Sequence, residues 1–384
     1  MANLLVLSEI FCFGKEAVKN FIEEIKNRRY ERILVITNPA SMGTAAAKKI
    51  PSLLAKNRIV YQIFDRVDSV ASVSDVRSAS DMAKGFRADA VVAVGSGSVM
   101  DVAKAVSLML ANEDIKDPKK FDGKANTKNK SFPLLMVATS VGFARDLGYS
   151  FILEDENARK KIVCHDSHAL PAAVYIDSEI ISQSDSKEYA LASYNLIARA
   201  IDSIVSKDAW QFTEKYCVDA IKILAENAKN ASAGKADAKE QVLYAQYLLS
   251  VAVSNSGQSL LTSLAESLDA SNGVPASLTS ALLLSEVMQI NAPATGNKYH
   301  DIAVALGAKV AATAKPDVFR KSAVTAIEKL AKDLALPKKV ADFTISKEDL
   351  DFVSDNVLKF PCTEQNPKTV TKKKIIDLYK GLAK

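Results

Sequence analysis

Residues 89–111 pass from DAVVAVG, apolar after its first residue, through GSGS into VMDVAKAVSLMLA, and no other stretch restricts the fold so tightly. A short apolar strand of this kind is covered on both faces, which a parallel sheet with helical crossovers provides. The flanking sequence repeats the alternation. RILVIT (32–37) reads as a β-branched strand, followed by PASMG and the helix TAAAKKIPSLLAKN. VYQIFD (60–65) is a second strand, VSDVRSASDMAKGF (73–86) a helix and LLMVATS (134–140) a further strand. Strands separated by helices of this length predict an α/β domain with a parallel sheet covered by helices on both faces, as in Rossmann-like folds. Two or three short extended runs between 150 and 177 close it.

From about residue 185 the strand signals stop. YALASYNLIARAIDSIVS, QFTEKYCVDAIKILAENAKN, AKEQVLYAQYLLSVAVSNSGQ and ASLTSALLLSEVMQINA all carry helical patterns. The expected division is therefore an α/β domain over 1–183 and an all-α domain over 184–384, with a crevice between them as the natural place for a ligand. AKNASAGKADAKE (228–240) reads as a polar turn between two helices.

Several classes of function fall away on charge and patterning. The net charge of +5, from 50 basic and 45 acidic residues, is small for 384 residues and gives no case for nucleic acid or membrane partners. The run KTVTKKK (368–374) reads as a solvated helix start. No run of about 18 apolar residues predicts a transmembrane helix. The N-terminal MANLLVLSEIFCFGKE lacks the basic start and long apolar stretch of a leader, so a cytoplasmic protein is expected. Cys12, Cys164, Cys217 and Cys362 are widely spaced and read as free thiols. His165 and His168, in HDSH, have no third ligand type near them and read as ordinary polar residues.

The glycine turn is the clearest local signal of chemistry. A buried strand ends at Gly95 and a helix begins near Ser98. Helix N-termini present unpaired N–H groups and a partial positive charge, which suits a pyrophosphate. Gly97 lets a phosphate approach the backbone, and Gly97→Val is expected to block that approach with the fold intact. Gly-x-Gly alone also describes a plain strand-to-helix turn, and the sequence is neither GxGxxG nor a P-loop.

A second stretch, YNLIARAIDS (194–203), sets Asn195 and Arg199 four apart on one face of an apolar helix. A guanidinium in such surroundings needs a partner.

GSGSVMDVAK resembles the GGGSxxDxxK loop of the iron-containing (group III) alcohol dehydrogenases. FPLLMVATSVG is similar to that family's strand into TTAGT, ARKKIVCHDSHALPAAVYID to its basic segment, and VSNSGQSLLTSLAESLDASNGVPAS to its histidine-rich helix pair. ATGNKYHDIAVALG and FPCTEQNP agree near the C-terminus, so the likeness spans essentially the whole chain. It implies a dehydroquinate synthase-like fold, a nicotinamide cofactor on the first domain and a divalent metal on the helical one.

Carried over residue by residue, the metal ligands of the family, one Asp and three His, fall on Asn195, Arg199, Thr262 and Ala276. A further family histidine, near the substrate, falls on Glu266. None of these is a good ligand, so the resemblance implies no catalytic metal here. Arg199 and Glu266 are expected to pair where a cation would sit, with Asp202 as a second candidate partner; they are also the candidates for any catalytic role.

The cofactor positions implied by the resemblance are Asn38, Gly95, Ser96, Gly97, Ser98, Asp101, Thr139, Ser140 and Lys161. Ser96 replaces a glycine and is expected to place a Cβ where positive φ is wanted. Asn38 replaces an acidic residue, which leaves NAD and NADP both open. Ser69-Val70-Ala71 replaces the family's PNP turn. Phe143 is expected near the pyrophosphate path, and Arg145 near enough to bind a phosphate. Three readings follow: a catalytically degenerate homologue retaining NAD(P) binding, a metal-free oxidoreductase using Arg199 as an electrostatic catalyst, and a structural or regulatory partner. The family tendency implies a homodimer.

Overall fold

The computed structural model describes residues 3–382 except 44, 124–126, 143, 146, 179–180, 182–184 and 342, with backbone alone at 45–47. The chain divides into two compact units, Leu5–Ser184, and Asp185–Lys384 together with Met1–Leu4.

The first unit runs β1 (Ile10–Gly14), α1 (Ala17–Asn27), β2 (Arg32–Ile36), α2 (Pro39–Met42), α3 (Ala45–Lys56), β3 (Val60–Phe64), α4 (Val73–Phe86), β4 (Ala90–Gly95), α5 (Ser98–Ala111), β5 (Leu134–Ala138), β6 (Ser150–Asp155), β7 (Lys160–His165) and β8 (Ala173–Asp177). Among the described residues six strands form one sheet in the order β1-β8-β5-β4-β2-β3, with every pairing parallel. All residues of β4, β5 and β8 are buried, as central strands require. β6 and β7 stand apart as an antiparallel pair. The strand IFCFG and the helix after it were not anticipated: without a glycine turn or alternation to mark it, β1 becomes recognisable only through its pairing with β8.

Local chemistry fixes the helix starts. Ser72 caps α4, accepting the Asp75 N–H at 3.0 Å. Asn38 caps α2, accepting the Ser41 N–H at 2.8 Å, and Pro39 follows at the first helical position.

The second unit is helical: α6 (Ser186–Val205), α7 (Gln211–Ser232), α8 (Ala236–Ser256), α9 (Leu260–Asn272), α10 (Ala276–Asn291), α11 (Lys298–Ala305), α12 (Pro316–Asp333), α13 (Lys347–Lys359), α14 (Pro361–Glu364) and α15 (Lys372–Gly381). The α7–α8 turn is only 233–235, so the expected polar connection shrinks to three residues because α7 continues through Ser232. α6 is nearly all buried and packs against α7, α8, α9 and α10. Among the described residues no helix is long and apolar enough to cross a membrane.

Candidate functional site

In the helical unit, α6 presents Asn195, Arg199 and Asp202, and α9 presents Thr262 and Glu266; all five are buried. Arg199 Nη1 donates to Thr262 Oγ1 at 2.7 Å, and Nη2 donates to Glu266 Oε1 at 3.2 Å. Thr262 and Glu266 are four apart on α9, so they offer adjacent acceptors to one planar fork. Thr262 Oγ1 in turn donates to Asp202 Oδ2 at 2.7 Å. Asp202 therefore reaches Arg199 through a hydroxyl rather than by direct contact.

Asp202 has a second role. Its carboxylate accepts the backbone N–H groups of Ser259 (2.9 Å), Leu261 (3.1 Å) and Thr262 (3.2 Å), and the Ser259 hydroxyl. Ser259, the cap residue of α9, makes no capping bond with its own side chain. Asp202 caps α9 from another helix, with its charge on the positive end of the dipole. The cluster holds one cation and two anions, and the start of α9 offsets the excess. The same negative charge, after burial, raises the Tyr299 phenol above its usual range. Ala276 lies at the first residue of α10, which packs on both α6 and α9; it brings only a methyl group. Among the described residues no three His, Cys, Asp or Glu side chains gather as a metal site would need.

In the α/β unit the turn after β4 holds Gly97 at φ 56°, ψ −116°, a conformation open to glycine alone. Gly97→Val would therefore strain the backbone as well as fill space, which corrects the expectation that it spares the fold. Gly95 is closed in by α5: an added Cβ would lie 2.6 Å from Val99 Cβ. The expectation for Ser96 is corrected too, because positive φ falls on Gly97 and not on Ser96. Ser96 Oγ instead accepts from Ser140 N at 3.0 Å and Thr139 N at 3.3 Å, tying the glycine turn to the end of β5.

The remaining cofactor candidates join this cluster. Thr139 Oγ1 lies 3.4 Å from Ser41 Oγ, and Ser41 N is held by Asn38. Ser98 Oγ donates to the Asp68 carbonyl at 2.6 Å. Lys161 pairs with Glu154 at 3.0 Å, and Glu154 N reaches the Ala71 carbonyl at 2.7 Å, which places Lys161 beside the 69–71 segment. Asp101 Oδ2 accepts from Arg145 Nη2 at 3.1 Å and Nε at 3.3 Å. The expected phosphate-binding role of Arg145 thus meets a guanidinium already engaged by α5. Buried Lys104 donates to the carbonyls of Arg145 and Ser150, both at 2.9 Å. Phe143 and Asp146 lie outside the described residues.

His165 Nδ1 lies 2.7 Å from Ser150 Oγ, and His168 Nδ1 lies 3.0 Å from both Thr127 Oγ1 and the Thr127 carbonyl oxygen. Sequence reasoning missed Ser41, although Asn38-Pro39-Ala40-Ser41 spells a capped helix start. It left Asp202 unresolved because a cap supplied across helices leaves no local spacing to read.

Two family profiles cover the chain. The first, described as iron-containing alcohol dehydrogenase, matches residues 8–178; the second, the C-terminal part of the Fe-containing alcohol dehydrogenase family, matches residues 189–383. Lactaldehyde reductase of Escherichia coli (strain K12) is 30% identical over 379 residues, covering 99% of each chain. NAD-dependent methanol dehydrogenase of Bacillus methanolicus is 23% identical over 371 residues, 96% of each. Among solved structures, 1,3-propanediol oxidoreductase superposes with a TM-score of 0.92 at 22% identity over 99% of each chain. Sulfoacetaldehyde reductase from Bifidobacterium kashiwanohense, in complex with NAD+, superposes at 0.84 with 17% identity, over 100% of this chain and 99% of that one.

Proposed function

The chain belongs to the iron-containing alcohol dehydrogenase family, and from that premise we propose that it is a member without the catalytic metal, degenerate in metal-dependent alcohol oxidation and retaining a nicotinamide nucleotide site. The observation that carries this reading is the bonded set Arg199–Thr262–Asp202 and Arg199–Glu266. In this reading Asn195, Arg199, Thr262 and Ala276 stand at the four ligand positions. Their donor chemistry does not fit a metal. Asn and Thr are weak oxygen donors, Ala offers nothing, and a guanidinium is a fixed cation that repels another. The guanidinium links α6 to α9 in place of an ion.

A metal in this family would polarise the alcohol oxygen and stabilise an alkoxide. A metal-free reductase would need Arg199 donors aimed at a substrate oxygen. The bonds from Arg199 to Thr262 and Glu266 weigh against that role.

The α/β unit suits a dinucleotide. Gly97 admits a close approach, the 14-residue α5 directs its N-terminus at the turn, and Thr139 and Ser140 are tied to it. The Gly95–Ser98 turn would hold the pyrophosphate, and Thr139, Ser140, Asp101 and Lys161 would surround the rest. Asn38 puts no negative charge against a 2′-phosphate, so NAD and NADP are both accepted. A homodimer follows the family tendency.

The test is elemental analysis after incubation with excess ferrous or zinc ion and desalting, alongside assays with 1,2-propanediol and lactaldehyde. The expected result is no stoichiometric metal and no family-like turnover. About one metal per chain lost on Thr262→Ala, or turnover with either nicotinamide cofactor, would overturn the reading.

A further inference from the structure

A cavity of about 380 Å³ opens between α1 and α3, and its cations are Lys19 from α1 and Lys48, Lys49 and Lys56 from α3. Lys48, Ser52 and Lys56 recur every four residues, so they line one stripe of α3, with Lys49 beside it. Two carboxylates share the lining, and each is already engaged. Glu16 is held by Lys19 at 2.5 Å. That contact, with the Lys49 charge adding to it, keeps the Glu16 carboxyl below its usual range. Asp177 is buried at the end of β8 and accepts the Val18 N–H at 3.2 Å, fixing the start of α1. Among the described residues Lys48, Lys49 and Lys56 make no ion pair.

Lys48 and Lys56 stand two helical turns apart, about 12 Å along the axis, and repel one another only weakly. On a convex surface water and salt screen that repulsion. Here the four lysines line a concavity whose size falls in the range of small-molecule sites. Recognition of phosphate by lysine needs charge but no fixed fork, so several flexible ammonium groups suit a chain of phosphates better than a single planar carboxylate.

We propose that this cavity binds a small polyanion carrying two or more phosphate groups, at a site separate from the glycine turn. Asn38, Gly95–Ser98, Thr139, Ser140 and Lys161 are not among its lining residues. α3 packs on β3 and on β4, the strand that ends at Gly95, so the cavity and the turn share one sheet.

The test is calorimetric titration of inorganic tripolyphosphate at ~0.1 M salt, where exposed charges more than about 10 Å apart are screened. Wild type is compared with Lys48→Gln/Lys56→Gln, with a control pair on α7, Lys222→Gln/Lys229→Gln, and with Ser98→Asp, which sets a carboxylate at the glycine turn. The expected result is a saturable site about tenfold weaker in the α3 variant, unchanged in the α7 variant and retained in Ser98→Asp, whose carboxylate removes any second binding at the glycine turn. A nucleoside triphosphate titrated in parallel distinguishes the source. Equal affinity assigns recognition to the phosphate chain, and tighter binding lost with the same lysines adds a base or sugar contact in the same cavity. The proposal is overturned by absence of saturable binding, by equal losses in both lysine pairs, or by loss in Ser98→Asp with retention in the α3 variant. The last outcome would place the anion on the glycine turn and leave the nucleotide reading standing.

Discussion

Thr262 stands between two opposite charges: its hydroxyl accepts from Arg199 at 2.7 Å and donates to Asp202 at 2.7 Å. A hydroxyl can do both at once, which a valine of the same shape cannot. The relay converts what would be a simple ion pair into a four-residue unit, and the predictions about the helical domain follow from treating it as one.

Arg199→Met and Glu266→Leu should each destabilise the protein by about 3–5 kcal/mol, because each leaves a buried charge without its partner. Arg199→Met should cost more, since it also deprives Thr262 of a donor. The double variant should recover much of the loss. Urea denaturation of the four proteins gives the coupling. Simple addition of the two single effects would mean that the pair carries no interaction energy.

Asp202→Asn should cost at least about 2 kcal/mol, as the amide exchanges an acceptor for a donor facing backbone N–H groups. The damage should begin at α9. Hydrogen exchange at Leu261 and Thr262 should therefore accelerate more than at the far end of α9, and uniform acceleration along the helix would contradict the capping role.

At the glycine turn, Gly95→Ala should lose about 1–3 kcal/mol through overpacking against Val99. Ser98→Asp should cost about 1 kcal/mol, because the carboxylate cannot donate to the Asp68 carbonyl, a loss partly offset by an anion at a helix N-terminus. It should nevertheless abolish binding of NAD(H) and NADP(H) in calorimetry. Equal nucleotide affinity in Ser98→Asp and wild type would move the ligand away from the turn.

The thiols offer a pH-dependent readout. Burial pushes the Cys217 thiol up to about 12, and burial with the Asp166 charge raises Cys164 as well. Both stay protonated, and so unreactive, through pH 8 in the folded state. Cys12 and Cys362 are half-buried. A thiol reagent at pH 8 should modify Cys12 and Cys362 natively, and Cys164 and Cys217 only in denaturant. Native modification of Cys217 would show that its helix opens far more readily than its packing implies.

Much of the α/β half was legible because its signals are local. Val73–Phe86 has its cap, its apolar spacing and its end written within one stretch, and the apolar 90–95 run admits few settings other than a central strand. The family, too, was legible from GSGSVMDVAK and the segments around it. The site was harder to read because its meaning is relational. Residues 195 and 199 announce a charge in an apolar face, but nothing in that stretch reveals that Thr262 relays it or that Asp202 caps α9. Ser96 misled for the same reason. Its consequence depends on which of two neighbours takes positive φ, and its hydroxyl finds partners more than 40 residues away.

The position of β8 bears on how the protein is made. β1 lies at the edge of the sheet and its strand partner is β8, pairing Ile10 with Ala173. During synthesis IFCFG leaves the ribosome and waits for about 160 further residues, of the order of 10 s, before its neighbour exists. The β2–β3–β4 core can assemble in that interval; β1 cannot dock. An apolar strand held open so long is a target for chaperones and a point of entry for misassembly, and its late capture gives the α/β unit a closing step dominated by long-range contact.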